Sequence, residues 1–472
     1  MKTVLFYDKR IRQLVQERKE GIIDRRSFLK VLGGITFGAI GSTFLPQPAW
    51  GQKKITVYMW DTEPNPVTRK VMKEMTEDFH RLHPNIEIIS EAMGWADMER
   101  KLITALAAKT PPAACHGQTY TVTSFQPKGI IEPVDDLIKA IGKERIFPHV
   151  LRWSEYKGRY YGLTHAWGAD FLGGRGDYAK EAGINPLAWK TWDDWLRDMP
   201  KLNKPPRYYA LSLSGVPHWM NQYLALWAGA NGGRLFDDAG NPTLDSPQVL
   251  GALELWLKLK PYLPPAWSSH DYLEVLSAFA TGRVTQVFSA WMRASGYIDQ
   301  YAPADKRNPE VFQIWPRTVG PMGKAPLIQF DNENWMIFSA APKEEKEAAK
   351  EFLKFFYKKE NYWKYCNSVP VHLNSIFKDD FKDPEYLNHP DRKRWRPWLD
   401  YSVAAVEGGR SYPLLVCDPN DRMIPWIGDV ATSPIMADMI MAVLAKGEDP
   451  KKAAKEANLR INRDIIEKWK KT

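Results

Sequence analysis

The 472-residue chain is poor in cysteine: Cys115, Cys366 and Cys417 are all it has, and none stands in a C-x-x-C spacing. At least one thiol stays unpaired in any intrachain scheme. A disulfide scaffold is therefore excluded, as are clustered zinc, iron–sulfur and haem-attachment motifs, and no cofactor or metal is expected. Cys115 beside His116 suggests a nucleophile or a metal ligand. Neighbouring side chains on a strand face opposite sides, however, so Cys115 reads as a buried or loop residue. Long basic runs interleaved with aromatics are missing too. The cluster Asp391-Arg392-Lys393-Arg394-Trp395-Arg396 reads as solvated surface, and nucleic acid is not an expected partner. There is no G-x-S-x-G elbow and no H-E-x-x-H, and Gly173-Gly174-Arg175-Gly176 lacks the spacing of a phosphate loop. No internal repeat is visible, which sets solenoids aside. With 44% hydrophobic and 26% charged residues, what remains is an ordinary globular composition, long enough for two core-bearing lobes.

The formal charge of +9 is concentrated at the start. Residues 1–51 carry nine Lys/Arg against four Asp/Glu, leaving 56 basic against 52 acidic groups, or +4, in the rest. Within that start, Asp24-Arg25-Arg26-Ser27-Phe28-Leu29-Lys30 sets two arginines before an apolar pair, and residues 31–45 follow without a charge. This is the layout of an export signal. Its glycine-rich apolar run of about 15 residues is too short and too weakly hydrophobic to span a bilayer core of about 30 Å. Ala49-Trp50-Gly51 provides a small-residue cleavage site, so the cut is expected after Gly51, with mature protein free in the periplasm and no cysteine nearby to take a lipid. The segment is similar to twin-arginine (Tat) signals through Phe28, Leu29 and Lys30, which implies the Tat translocase as a partner during export.

In the body, residues 54–60 are β-rich, and Val67, Val71, Met75, Phe79 and Leu82 recur at spacings of three and four. Ile86 and Ile88 then alternate into a second strand. The pattern predicts a βαβ unit with a parallel sheet. Ligands bind beyond the carboxyl ends of such strands, where Trp60, Asp61 and Trp95 stand. Thr191-Trp192-Asp193-Asp194 has capping-box spacing, so its aspartates read as helix caps. A helix over 272–280 stops at Gly282, and a strand over 284–290 delivers Trp291 to its end. Residues 343–359 read as a charged amphipathic helix with Ala348, Phe352, Phe355 and Phe356 inward.

The order of segments resembles the family 1 extracellular solute-binding proteins of ABC importers, which include maltose- and trehalose-binding proteins, over nearly the whole mature chain. The resemblance is carried by Glu181-Ala182-Gly183-Ile184-Asn185-Pro186 leading to Thr191-Trp192-Asp193-Asp194, and by Ala230-Asn231-Gly232-Gly233 followed by Thr243-Leu244-Asp245-Ser246-Pro247. Phe279-Ala280-Thr281-Gly282-Arg283 ahead of Trp291, Ala348-Ala349-Lys350-Glu351-Phe352-Leu353, Val369-Pro370-Val371 and Gly447-Glu448-Asp449-Pro450 complete it. It implies an α/β, two-lobed periplasmic-binding-protein fold with hinge crossings and a ligand cleft between lobes. Crossings are expected at 162–168, 328–335 and 369–373. Lobe 1 is then 52–165 with 330–371, and lobe 2 is 166–329 with 372–472. The chain departs from the family at 169–177, where members have a Tyr-Asn-rich segment, and at Cys115-His116, where they have a plain Asp.

The implied function is capture of a carbohydrate or polyol by a monomer that delivers it to permease subunits in the inner membrane. A pyranose has an apolar C–H face and a fringe of hydroxyls, which suits an indole beneath and planar polar groups around the rim. Among 20 tryptophans, the stacking candidates are Trp60, Trp95, Trp167, Trp291, Trp335 and Trp426, the last falling where sugar-binding members carry aromatic contacts. Rim candidates are Asp61, Gln118, Asn332, Asn334 and Arg410. Trp291 and Trp335 are expected to stack on the solute, and Trp192 and Trp195 to pack. The rival reading is an exported glycoside hydrolase or lyase, equally aromatic-rich, but no acidic pair stands out for it.

Overall fold

The computed structural model describes residues 53–407, 411–413 and 424–471. The leader at 1–51, Arg410 and Cys417 lie outside the described residues. From Lys54 onward the chain forms one compact unit with two hydrophobic cores, a two-lobed α/β architecture.

The βαβ start is present. Strand β1 (Ile55–Asp61) leads to a helix over Pro66–Leu82, then to β2 (Ile86–Ala92), which pairs with β1 in parallel from Ile55↔Ile86 to Asp61↔Ala92. The helix begins where the Asn65 side chain accepts the Val67 N–H and Pro66 takes the first turn, which needs no donor. Its buried face is Thr68, Met72, Met75 and Phe79. Strand β3 (Ala114–Gly117) lies on the other side of β1, also parallel. After the short β4 (Ile131–Glu132) and the hairpin β5 (Glu155–Tyr156) and β6 (Arg159–Tyr160), β7 (Leu163–Ala169) runs almost directly into β8 (Phe171–Arg175). Strands β9 (Gln286–Ala290) and β10 (Phe312–Trp315) flank β8 antiparallel, making the sheet of the second lobe. The long β11 (Ile328–Phe338) returns to the first sheet, whose order is β12 (Ser411–Pro413), β11, β3, β1, β2, with β4 and β7 also against β11.

The first core gathers Val57, Met72, Phe79, Trp335, Phe352 and Phe356 around that sheet, and the second gathers Trp195, Tyr223, Trp227, Trp256 and Phe288 around the other. Trp192 and Trp195 follow the Thr191/Asp194 capping box and are buried in the second core, where the Trp195 Nε1–H donates to Gln286 Oε1 at 2.7 Å. Two details differ from expectation. The helix expected through residue 359 ends at Phe356, because Lys358 is extended, and a separate helix Lys359–Cys366 follows. Val371 packs in the second core, Leu373, Ile376, Phe377 and Tyr386 pack with Trp167 in the first, and Trp395 returns to the second.

The chain passes between the cores at the β7–β8 junction, along β11, around Val371 and again before Trp395. Strands β7 and β11 pair side by side, and Asp170 clamps the β7–β8 junction. Asp170 is fully buried, ion-paired to Arg317, and accepts from the Gln329 N–H at 2.8 Å and Ser289 Oγ at 2.9 Å. Val371 is buried at φ +63°. Left-handed backbone at a β-branched residue is strained and persists only where its surroundings hold it. Among the described residues no helix is long and apolar enough to cross a membrane.

Candidate ligand-binding cleft

A cavity of about 330 Å³ opens between the two cores. The first lobe supplies the loop after β1, through Thr62 and Pro64, with Trp95, Asp97 and Gln118; the second supplies Trp219, Tyr272, Trp291 and Arg293. The floor comes from the crossings: Trp167, Asp331, Glu333 and His372. The carboxyl ends of β1 and β3 thus face the cavity, as the parallel unit requires.

One wall is aromatic. Trp219 and Tyr272 stack with centroids 4.1 Å apart at 21°, and the Tyr272 hydroxyl accepts the Trp291 backbone N–H at 2.9 Å, tying the aromatic residues together. Trp291 shows a thin edge to the cavity, and its Nε1–H has no partner. Trp95 opens the helix Trp95–Ala107 from the opposite wall.

The floor is a buried charge cluster. Arg293 donates both Nη groups to Glu63 at 2.7 and 2.8 Å, joining the loop after β1 to the segment after β9. Burial alone would raise the Glu63 carboxyl, but Arg293 holds it well below the usual carboxylate range. Glu333, 3.8 Å from Arg293, goes the other way: burial and the neighbouring Glu63 charge push it well above its usual value. Burial also lifts Asp331 to about 7 even though it accepts from the Thr119 backbone N–H and hydroxyl. His165, stacked on His116 at 3.7 Å, is pushed down to about 3 by burial, and His372 is lowered for the same reason.

Of the candidates read from the sequence, Trp95, Gln118, Trp167 and Trp291 line this cavity. Trp167 contributes little more than an edge: its Nε1–H donates to the Ser375 carbonyl at 2.8 Å, and its ring packs edge-on against Phe147 and His149. The other described candidates lie elsewhere. Trp335 is fully buried, opposite His116 in the β3–β11 register and 4.0 Å from its ring. Asn332 donates to the carbonyl of Val150, in the helix Pro148–Arg152, at 2.6 Å, tying β11 to that helix, and Asn334 accepts from Thr164 Oγ1 at 2.9 Å and donates to the Asn332 carbonyl at 2.8 Å, tying β11 to β7. Strand parity explains this: Asp331 and Glu333 face the cavity, so Asn332 and Asn334 face away. A register shift after Glu333 and the distance along β11 carry Trp335 into the core. Trp60 lies in a small satellite core with Met98 and Leu102, with the Lys101 ammonium 4.2 Å over its ring. Asp61 is occupied by Arg69 and Ser90, each at 2.8 Å, and burial outweighs Arg69 to lift it to about 6. The Trp426 Nε1–H donates to the Gly240 carbonyl at 3.1 Å, away from the cavity wall.

The residues missed were Glu63, Arg293, Asp331, Glu333, His372, Trp219 and Tyr272. Alternation along β11 could have pointed to Glu333 in place of its asparagine neighbours. Trp219 and Tyr272 carry no such signal, for each stands in the first turn of a helix, and nothing along the chain says that this turn meets the cavity.

The fold and this interlobe cleft define a solute-binding protein. The chain matches the bacterial extracellular solute-binding protein family over residues 65–363, more than half its length, and belongs to that family. It is 26% identical over 348 residues to the maltotriose-binding protein of Pyrococcus abyssi, covering 72% of this chain and 70% of that one. In fold it is similar to the ribitol-complexed ABC transporter solute-binding protein of Agrobacterium radiobacter K84, with a TM-score of 0.72 at 20% identity, covering 86% of this chain and 98% of the other. Maltose-bound MalE3 of T. maritima gives a TM-score of 0.72 at 18% identity, with the same coverage of each chain.

Proposed function

We propose that the chain captures a neutral carbohydrate or polyol in the interlobe cavity and hands it to the permease subunits of an ABC importer. The observation that carries this is the cavity's two-sided chemistry: stacked Trp219 and Tyr272 with Trp291 on one wall, and a hydrogen-bonding floor of Asp331, Glu333 and His372. Rings take the C–H face of a sugar and carboxyl or imidazole groups take its hydroxyls. Arg293 is the sole Lys or Arg among the described lining residues, and its guanidinium is already given to Glu63, so the site suits an uncharged solute better than a phosphorylated one. The ligands named for the similar proteins, maltotriose, maltose and ribitol, belong to this class.

The solute is held and released unchanged. Calorimetry with maltotriose, maltose and ribitol should give saturable heat with at least one of them, and chromatography of the maltotriose mixture after a day should give back intact sugar. New reducing ends would establish the hydrolase reading instead. The protein works as a monomer in the periplasm, reached through the Tat translocase with the leader cut near Gly51. Replacing Arg25 and Arg26 by lysine should leave precursor in the cytoplasm, and normal export of that variant would overturn the route.

A further inference from the structure

The cleft floor holds more polar atoms than it satisfies. Glu333 Oε2, His372 Nε2 and His165 Nε2 have no hydrogen-bond partner, although His372 is 7% exposed and His165 is fully buried. Buried polar groups left in this state call for an occupant. Ligand atoms of Glu63, Glu333 and His372 all lie within 4.8 Å of one another. His372 Nε2 is 3.5 Å from Glu63 Oε1 and 3.9 Å from Glu333 Oε1, close to the roughly 3 to 4 Å that separates atoms sharing one ion at about 2.1 Å. Glu63 and Glu333 set two carboxyls beside the one guanidinium of Arg293. Both Nη groups of Arg293 are committed to Glu63.

We propose that Glu63, Glu333 and His372 form a binding site for one divalent metal ion, zinc or manganese, at the floor of the solute cleft. Glu63 Oε1 has lone pairs enough to serve Arg293 and the ion together, and His165 Nε2, 3.7 Å from Glu333 Oε2, supports the outer side. One imidazole with two carboxylates suits zinc or manganese, whereas calcium takes six to eight oxygens. Because Glu333 and His372 line the cavity, the open side of the ion faces the solute, whose hydroxyls complete its coordination. This rests on the cleft reading above but not on which sugar fills the cleft.

The test is calorimetry and native mass spectrometry of EDTA-treated full-length mature protein with ZnCl2, MnCl2 and, as a comparison, CaCl2, without sugar. One equivalent of zinc or manganese is expected to bind, with affinity at least tenfold weaker in Glu333→Gln and in His372→Gln and unchanged in His80→Gln, which alters an exposed histidine on the helix Pro66–Leu82. Anomalous diffraction at the zinc edge from wild-type crystals requires no variant and should place the ion between the three side chains. No bound equivalent, equal binding by both cleft variants, or an anomalous peak elsewhere overturns the proposal. Sugar titrations in EDTA separate the two readings: sugar heat without metal binding removes only the ion, and metal binding without sugar heat removes only the carbohydrate assignment.

Discussion

Trp335 and Trp291 differ by where their indoles end, and only the second truncation should weaken solute binding. Trp335 is fully buried in the first core, 4.0 Å from His116 and 6.4 Å from Phe356 by ring centroids. Trp335→Ala removes an indole from a close-packed sheet interface, and truncations of this kind cost about 3 to 5 kcal/mol, set by how far the cavity can collapse. Its Nε1–H has no partner, so Trp335→Phe, which keeps a ring and removes an unsatisfied donor, should cost less than about 1.5 kcal/mol. Trp291 stands at the cavity wall. Because it also packs in the second core, with only 9% of its surface open, its truncation should both lower the urea midpoint and weaken solute binding by about 2 kcal/mol, roughly 30-fold. Urea unfolding followed by far-ultraviolet circular dichroism reads the changes in stability, and calorimetry with the tightest-binding sugar reads the change in affinity. If Trp335→Ala unfolds at the wild-type midpoint while losing affinity, the assignment of Trp335 to the core is wrong; if Trp291→Ala binds normally, the aromatic wall is not where solute sits.

Arg293→Met leaves Glu63, whose side chain is fully buried, without its partner, and should destabilise the protein by about 3 to 5 kcal/mol. The double variant Arg293→Met/Glu63→Gln should recover part of that in a double-mutant cycle, and strict additivity would refute the pairing. Asp170→Asn should likewise lower the urea midpoint by an amount worth about 3 kcal/mol, because it leaves the buried Arg317 uncompensated at the β7–β8 junction. Burial pushes His149 down to about 4. Between that value and the ordinary histidine value of about 6.5 the unfolded chain binds the proton and the folded one does not. Stability should therefore fall as pH drops from about 6.5 to 4, and His149→Gln should flatten that part of the midpoint-against-pH curve; an unchanged slope refutes the buried, neutral imidazole.

The elements that hydrophobic period alone dictates were legible. The βαβ unit came from the three-and-four spacing of Val67 to Leu82 between alternating strands, and the cap at Thr191 from its own carboxylate three residues on, because both are local interactions between near neighbours in the chain. The collinear order of short motifs was enough to point to the solute-binding family, and with it to a cleft between lobes. Which side chains reach that cleft was decided only in three dimensions. Trp60, Trp291 and Trp335 all sit at or near strand ends, yet Trp60 and Trp335 are covered by a helix and a neighbouring strand while Trp291, nearly as buried as Trp60, keeps one edge at the cavity; an indole is worth burying for its area wherever space allows. Glu63, Glu333, Arg293 and His372 are separated by up to 309 residues and acquire their shared chemistry only because β1, β11, the segment after β9 and the crossing at Val371 converge on one floor. Desolvation and Coulomb interaction depend on that convergence, and no pattern along the chain encodes it.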